Sequence, residues 1–260
     1  MQVIIADSAQ EVARLGADQL SALMRTRPGA VLGLATGNTP IALYDELIRR
    51  YRDGQLSFAQ ARSFNLDEYV GLAPGHRQSY RHFMNQHLFN HIDIPLAQTW
   101  VPDGLGDPET VGEAYEALID AAGGIDLQVL GIGRNGHIGF NEPSSSLGSR
   151  TRIKTLAPQT LADNSRFFSP DEFQPSLAIT MGIGTILRSR KALLLATGES
   201  KADAVQAMIE GPVTASCPAS ALQLHPCALV IVDSAAGARL EHGEYYQRVR
   251  QETDLLNGRS

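Results

Sequence analysis

The chain has 260 residues, of which 43% are hydrophobic and 19% charged, and it carries a net charge of −6. These proportions belong to a globular chain able to bury a large core, and they exclude a disordered or fibrous one. The acidic balance argues against a nucleic-acid partner, since phosphate backbones are bound by clustered Lys and Arg, but it does not exclude a small anion held in a local positive pocket.

The N-terminal stretch Met1 to Val12 has no basic leader and only a short apolar run, so it reads as an opening strand rather than a signal peptide. Val31-Leu32-Gly33-Leu34-Ala35 is a buried strand, followed by Thr36-Gly37-Asn38-Thr39-Pro40 and a helix to about Arg52. Ile125 to Ile132 is a second such strand, running into a glycine-rich loop, and Gly123-Gly124 marks the end of the helix before it. Ala192 to Ala196 is a third, followed by Thr197-Gly198-Glu199-Ser200-Lys201 and a helix through Ile209. Ala228 to Val232 is a fourth, and a polar helix closes the chain. Pro40 and Pro108 suit first-turn helix positions. Continuously apolar strands mean burial on both faces. The expected fold is therefore α/β, a doubly wound, mostly parallel sheet with helices on both faces, in a three-layer Rossmann-like arrangement. Right-handed crossovers place the turns after these strands along one sheet edge, where such folds bind ligands.

No linker, tandem repeat or low-complexity run divides residues 1–260, which read as a single domain. The segment Glu142 to Arg152, rich in Ser, Gly and Pro, is the expected mobile loop at the active site. Cys217 and Cys227 are too few for a disulfide framework and read as free thiols. No apolar run reaches the ~20 residues needed to span a bilayer. The expected location is the cytoplasm.

Three stretches carry chemistry. The first is the turn at Thr36, Gly37, Asn38 and Thr39, where free N–H groups at a helix start suit a phosphate. Thr197 to Lys201 repeats that design and adds a cation, Lys201, whose place in a first helical turn is favourable only beside an anion. Each has a plainer reading, as a capped turn and a solvated lysine. The second is Phe64-Asn65-Leu66-Asp67-Glu68-Tyr69, where two adjacent carboxylates follow an apolar strand. Side chains alternate along a strand, so one carboxylate enters a cleft and acts as a base while the other faces away; the plainer reading is a helix cap or a surface pair. The third is Gly131 to Pro143, a glycine-rich loop in which His137 precedes Glu142 by five positions. Burying His, Asn and Glu in one apolar loop is costly unless their polar groups are partnered, which points to function. His87 and His91 have a metal-compatible spacing but no third ligand nearby, so no metal site is expected. His76, His82, His225 and His242 read as loop or surface residues.

The strings Phe64 to Leu72 and Gly136-His137-Ile138-Gly139-Phe140-Asn141-Glu142-Pro143 resemble those of the glucosamine-6-phosphate deaminases. So do Ser149 to Arg152, Asn164 to Phe168 and Ala221 to Pro226, and the likeness runs in order from the first strand to beyond Asp233. The resemblance implies an aldose–ketose isomerisation coupled to loss of ammonia, without metal or redox cofactor, turning glucosamine 6-phosphate into fructose 6-phosphate. It assigns ring opening to His137, positioned and tuned by Glu142 and Asn135. It makes Asp67 the base at C2, and phosphate binders of Thr36, Gly37, Asn38, Thr39, Arg166 and Lys201. Some members have Asp where this chain has Asn135, and a neutral amide there orients the ring through its oxygen. Some members are hexamers activated by N-acetylglucosamine 6-phosphate; Ser145, Arg152, Lys154 and Thr155 match their effector positions, with Tyr245 or Tyr246 as a looser match, and other members are non-allosteric monomers. Two rivals stand beside this reading. A 6-phosphogluconolactonase shares the loop layout but continues differently after Gly-His, and a non-catalytic sugar-phosphate sensor would not need both bases.

Overall fold

The computed structural model describes residues 1–169 and 171–256. The chain begins with strand β1 (Gln2–Ala6) and helix α1 (Ala9–Thr26), capped by the Ser8 hydroxyl, which accepts from the Glu11 N–H at 3.2 Å. Strand β2 (Val31–Leu34) feeds helix α2 (Asn38–Arg52), and β3 (Arg62–Asn65) is followed after one residue by β4 (Asp67–Tyr69). Helix α3 (Tyr80–His87), strand β5 (Thr99–Trp100), helix α4 (Val111–Ala121) and strand β6 (Leu127–Leu130) come next. Then follow β7 (Arg152–Thr155), α5 (Pro158–Ser165), β8 (Leu177–Thr180) and α6 (Ile183–Leu187). The chain continues through β9 (Ala192–Ala196), α7 (Ala202–Ile209), β10 (Ala228–Asp233) and α8 (Gly243–Leu256).

Among the described residues, seven strands form one sheet in the order β1-β10-β9-β6-β2-β3-β5, and every pairing in it is parallel. The apolar runs read from the sequence split their side chains between two cores, as alternation requires. Leu193 and Leu195 of β9 join Leu20 of α1, Leu43 of α2 and Met84 of α3. Ala192, Leu194 and Ala196 join Ile119 of α4, Ile186 of α6 and Val205 of α7 on the other face. This is the three-layer α/β fold expected from the apolar runs. No described helix is long and apolar enough to cross a membrane.

A second, three-stranded antiparallel sheet, in the order β4-β8-β7, was not anticipated. It pairs Asp67 with Thr180 and Arg152 with the same Thr180 from the other side. A third apolar cluster of Tyr69, Phe140, Leu156 and Ala178 packs beneath α5 through Leu161.

Gly54 ends α2 with φ 70°, a left-handed conformation that suits glycine at a helix end. Pro108 differs from expectation. It lies in a turn ahead of α4, where the Asp107 carboxylate accepts from the Glu109 N–H and its carbonyl from the Val111 N–H. His225 also differs. It is buried, with Nε2 at 2.9 Å from the Ser189 carbonyl and Nδ1 accepting from the Cys227 N–H, so it braces the loop before β10.

Candidate active site

A cavity of about 670 Å³ opens at the C-terminal ends of four neighbouring strands, β9, β6, β2 and β3. Its walls include Thr36 to Thr39 after β2, Leu66 and Asp67 after β3, Gly131 to Arg134 and His137 after β6, and Thr197, Ser200 and Lys201 after β9. Helix α5 and its C-terminal turn cover it with Thr160, Asp163, Asn164 and Arg166. The site thus lies where parallel α/β sheets offer a crevice between loops.

The loop after β2 is held from below. Tyr44 of α2 is fully buried, and its hydroxyl donates to the Ala35 carbonyl at 2.5 Å and accepts from the Ala35 N–H. Gly37 then turns with φ 111°, and α2 begins at Asn38, presenting unpaired N–H groups to the cavity. The turn after β9 is held by Asp233, whose carboxylate accepts from the Gly198 N–H at 3.0 Å and the Ala236 N–H at 2.8 Å. That bond fixes the short 3₁₀ turn Glu199–Lys201. Burial lowers the Lys201 ammonium from its ordinary value, a fall opposed by the Asp163 charge and deepened by Arg134. Arg166 projects from the end of α5 with its guanidinium 4.7 Å above the Phe167 ring.

The two carboxylates at positions 67 and 68 part company as alternation predicts. Asp67 lines the cavity, and Glu68 turns away to accept from the N–H groups of Tyr80 and Arg81 at the start of α3, at 2.9 and 3.0 Å. Burial, and the Glu68 charge beside it, push the Asp67 carboxyl well above its ordinary range. A carboxyl so placed binds a proton readily, as a base working on carbon must.

His137 faces the same cavity, with its Nδ1 at 3.2 Å from Glu142 Oε2. Its ring folds back over Gly133, where any Cβ would collide with the imidazole. Glu142 is a buried hub. It accepts from the Thr160 hydroxyl at 2.6 Å and from the Asn135 amide at 2.8 Å, besides facing the imidazole. Burial raises its pKa, but the bonds from His137, Thr160 and Asn135, together with the imidazolium charge, outweigh this and hold it at about 2. Asn135 does not touch the ring through its oxygen, as its neutral amide was expected to. That oxygen accepts from the His137 backbone N–H at 3.2 Å, and the amide nitrogen steadies Glu142 instead.

The structure therefore gathers Asp67, His137, Thr36, Gly37, Asn38, Thr39, Arg166 and Lys201 around one cavity, with Glu142 and Asn135 behind the imidazole. The segment expected to be mobile is tied down: Glu142, Ser145 and Thr151 are buried, and the Ser149 carbonyl accepts from Gly184. Ser145, Arg152, Lys154 and Thr155 do not line the cavity. Arg152 donates to the Asn141 amide oxygen at 2.8 Å, and the Ser145 hydroxyl is buried without a hydrogen-bond partner. The cationic run beginning at Arg150 is partly neutralised, since Glu116 lies 2.5 Å from the Arg150 guanidinium and Asp120 3.8 Å. Thr160, Arg134, Asp163 and Tyr80 are site residues that the sequence reading missed. Their local patterns are those of ordinary helix and loop residues, and only the packing of α5 and α3 against the cavity, with the course of the loop after β6, reveals them. Among the described residues, no group of three or more His, Cys, Asp or Glu side chains is arranged to hold a metal ion. Cys217 is a buried free thiol and Cys227 an exposed one.

Known proteins resemble this chain over nearly its full length. Residues 5–231 match the model of the Glucosamine-6-phosphate isomerases/6-phosphogluconolactonase family. The chain is 62% identical to a glucosamine-6-phosphate deaminase of Hahella chejuensis, with 99% of both chains covered. It is 60% identical to one of Cellvibrio japonicus, with 98% of each covered. A solved structure of a monomeric glucosamine-6-phosphate deaminase superposes with a TM-score of 0.89 at 44% identity, covering 92% of this chain and 99% of that one. A 6-phosphogluconolactonase from Trypanosoma cruzi superposes at 0.75 with 20% identity, a likeness of fold alone. The chain belongs to the glucosamine-6-phosphate isomerase/6-phosphogluconolactonase family, on the side of its glucosamine-6-phosphate deaminases.

Proposed function

We propose that this cavity converts glucosamine 6-phosphate and water into fructose 6-phosphate and ammonium, in amino-sugar breakdown. The observation that carries the reading is the meeting of a buried, proton-avid carboxyl, Asp67, and a carboxylate-backed imidazole, His137, in one cavity beside cationic side chains and a helix start. His137 moves a proton between the anomeric hydroxyl and the ring oxygen, opening the sugar. Asp67 removes the C2 proton of the open aldehyde, giving an enolamine, and returns a proton at C1. The resulting C2 imine adds water and expels ammonia. The net change is an isomerisation with hydrolysis of a carbon–nitrogen bond. Asp67 and His137 act on carbon and oxygen respectively, so neither need serve both tasks. The test follows ammonium and fructose 6-phosphate together with glucosamine 6-phosphate as substrate, and offers 6-phosphogluconolactone separately; hydrolysis of the lactone with no ammonia from the amino sugar would make the enzyme a 6-phosphogluconolactonase.

The phosphate falls to Thr36 to Thr39, Arg166 and Lys201. Arg166→Ala and Lys201→Ala should each weaken binding of substrate and of fructose 6-phosphate by roughly 1.5–3 kcal/mol, the cost of a lost charge-assisted bond. Unphosphorylated glucosamine should be a very poor substrate. Equal turnover of the two sugars would refute the clamp.

An effector reading is supported by the orphaned Ser145 hydroxyl and by Arg152, which connects to Asn141 beside Glu142. If Ser145, Arg152, Lys154 and Thr155 bind N-acetylglucosamine 6-phosphate, that ligand lowers the half-saturating substrate concentration, and Lys154→Ala abolishes the response. Hyperbolic kinetics untouched by the ligand would rule it out. A cytoplasmic hexamer accords with this reading; sedimentation of a monomer in the presence of the ligand would count against the assembly.

A further inference from the structure

Among the described residues, the cavity is lined by three Arg or Lys side chains rather than the two of the clamp: Arg134 stands with Arg166 and Lys201. Arg134 leaves the loop after β6, and its guanidinium lies 3.7 Å from the carboxylate of Asp163 on α5. Asp163 is three residues from Thr160, so the helical repeat puts both on the face of α5 that covers the cavity. The two partners are 53% and 48% exposed, and an ion pair that open adds little to stability. Its electrostatic consequence is local. Asp163 and Asp67 are the acids among the lining residues, and Asp67 sits deeper, beside Leu66 at the end of β3. Arg134, Arg166, Lys201 and the start of α2 therefore face one partly solvated carboxylate at the mouth. A phosphate monoester, with a charge of about −1.5 to −2 near neutral pH, supplies what this set lacks. The ammonium of Lys201 responds to both Arg134 and Asp163, so these groups act on one another across the mouth.

We propose that Arg134 is a third phosphate-binding cation, held ready at the cavity mouth by Asp163, which competes with the phosphate and so lowers its affinity. The proposal rests on the phosphate site assigned above. When phosphate enters, the guanidinium exchanges a solvated, monodentate carboxylate contact for a phosphate group that can accept two of its N–H bonds. Asp163, now beside two like charges, repels the incoming group, and its removal should strengthen binding.

The experiment measures inorganic phosphate binding by calorimetry and the KM for glucosamine 6-phosphate in Arg134→Gln, Asp163→Asn, the double variant and Lys201→Ala, each first checked by thermal melting. Arg134→Gln should weaken phosphate binding about tenfold or more and raise KM in parallel, with the loss falling on KM more than on kcat. Asp163→Asn should tighten phosphate about threefold, and the gain should shrink in the Arg134→Gln background because the two charges are coupled. Unchanged phosphate affinity in Arg134→Gln, with Lys201→Ala weakened, overturns the proposal and leaves the phosphate site standing. Weaker binding in Asp163→Asn also overturns it, since the pair would then be a brace for α5. Unchanged affinity in Lys201→Ala as well would remove the phosphate site itself and the proposal with it.

Discussion

Asp67→Asn should bind glucosamine 6-phosphate and yet turn it over roughly 10²–10⁴-fold more slowly, the usual cost of removing a general base. The same substitution should raise the melting temperature near neutral pH. The Asp67 carboxyl is buried and has its pKa pushed upward, so the folded state holds the proton more tightly than the unfolded chain does. Such a group favours the fold below its unfolded pKa and loses that contribution as pH rises through the folded value, because burial disfavours its charge. Asparagine has the same shape without that charge. The gain in melting temperature should therefore shrink as the pH is taken down toward the ordinary carboxylate range. Activity is read from ammonium release, and stability from melts at both pH values. Near-normal turnover would remove Asp67 from the chemistry, and a lower melting temperature at neutral pH would contradict its desolvated setting.

The second large effect is expected at Glu142. Glu142→Gln replaces an anion that accepts from Thr160 and Asn135 and faces the His137 ring, at 2.6, 2.8 and 3.2 Å. The amide cannot accept at both ends, so at least one buried donor is stranded, at a cost of about 1–3 kcal/mol in stability. Without the carboxylate the imidazole loses the partner that selects its tautomer, and kcat should fall by about 10²-fold with smaller changes in KM. The pH dependence has a definite sign. Glu142 is held at about 2 against an ordinary 4.5, so its contribution to stability is present above the ordinary value and fades as pH falls toward about 2. The wild-type protein should lose stability over that window more steeply than Glu142→Gln. Asn135→Asp should act through the same hub. Its carboxylate would meet Glu142 at the place where an amide now donates, raising the Glu142 pKa and weakening its hold on the ring. Acid melts of Asn135→Asp that superimpose on those of the wild type would show that the amide does not support Glu142.

How much of this could be read from the chain alone differs from element to element. The runs at Val31, Leu127, Ala192 and Ala228 were legible as buried parallel strands because burial on both faces removes polar residues from both, a signal contained within a few positions. The second sheet was not legible. Its strands are three or four residues long, and the sequence Arg-Ile-Lys-Thr of β7 is half exposed, too brief and mixed to show a period. The partly buried or charged helix α5 looked ordinary in sequence, and only its packing against Tyr69 and Glu142 gave Thr160 and Asp163 their places.

The sequence by itself determined which chemistry was available: a carboxylate pair that had to split across a strand, an apolar loop carrying His137 and Glu142, and two glycine turns opening helices. These are local facts, set by side-chain alternation and by backbone groups left unpaired at helix starts. The tertiary structure alone decided that they form one site. Asp67 and His137 lie far apart in sequence and share a cavity because β6, β2 and β3 are neighbours in the sheet, an order fixed by long-range strand pairing. It also decided that Asn135 serves Glu142 rather than the ring, because the direction of a side-chain amide depends on which partner the fold places within hydrogen-bond reach.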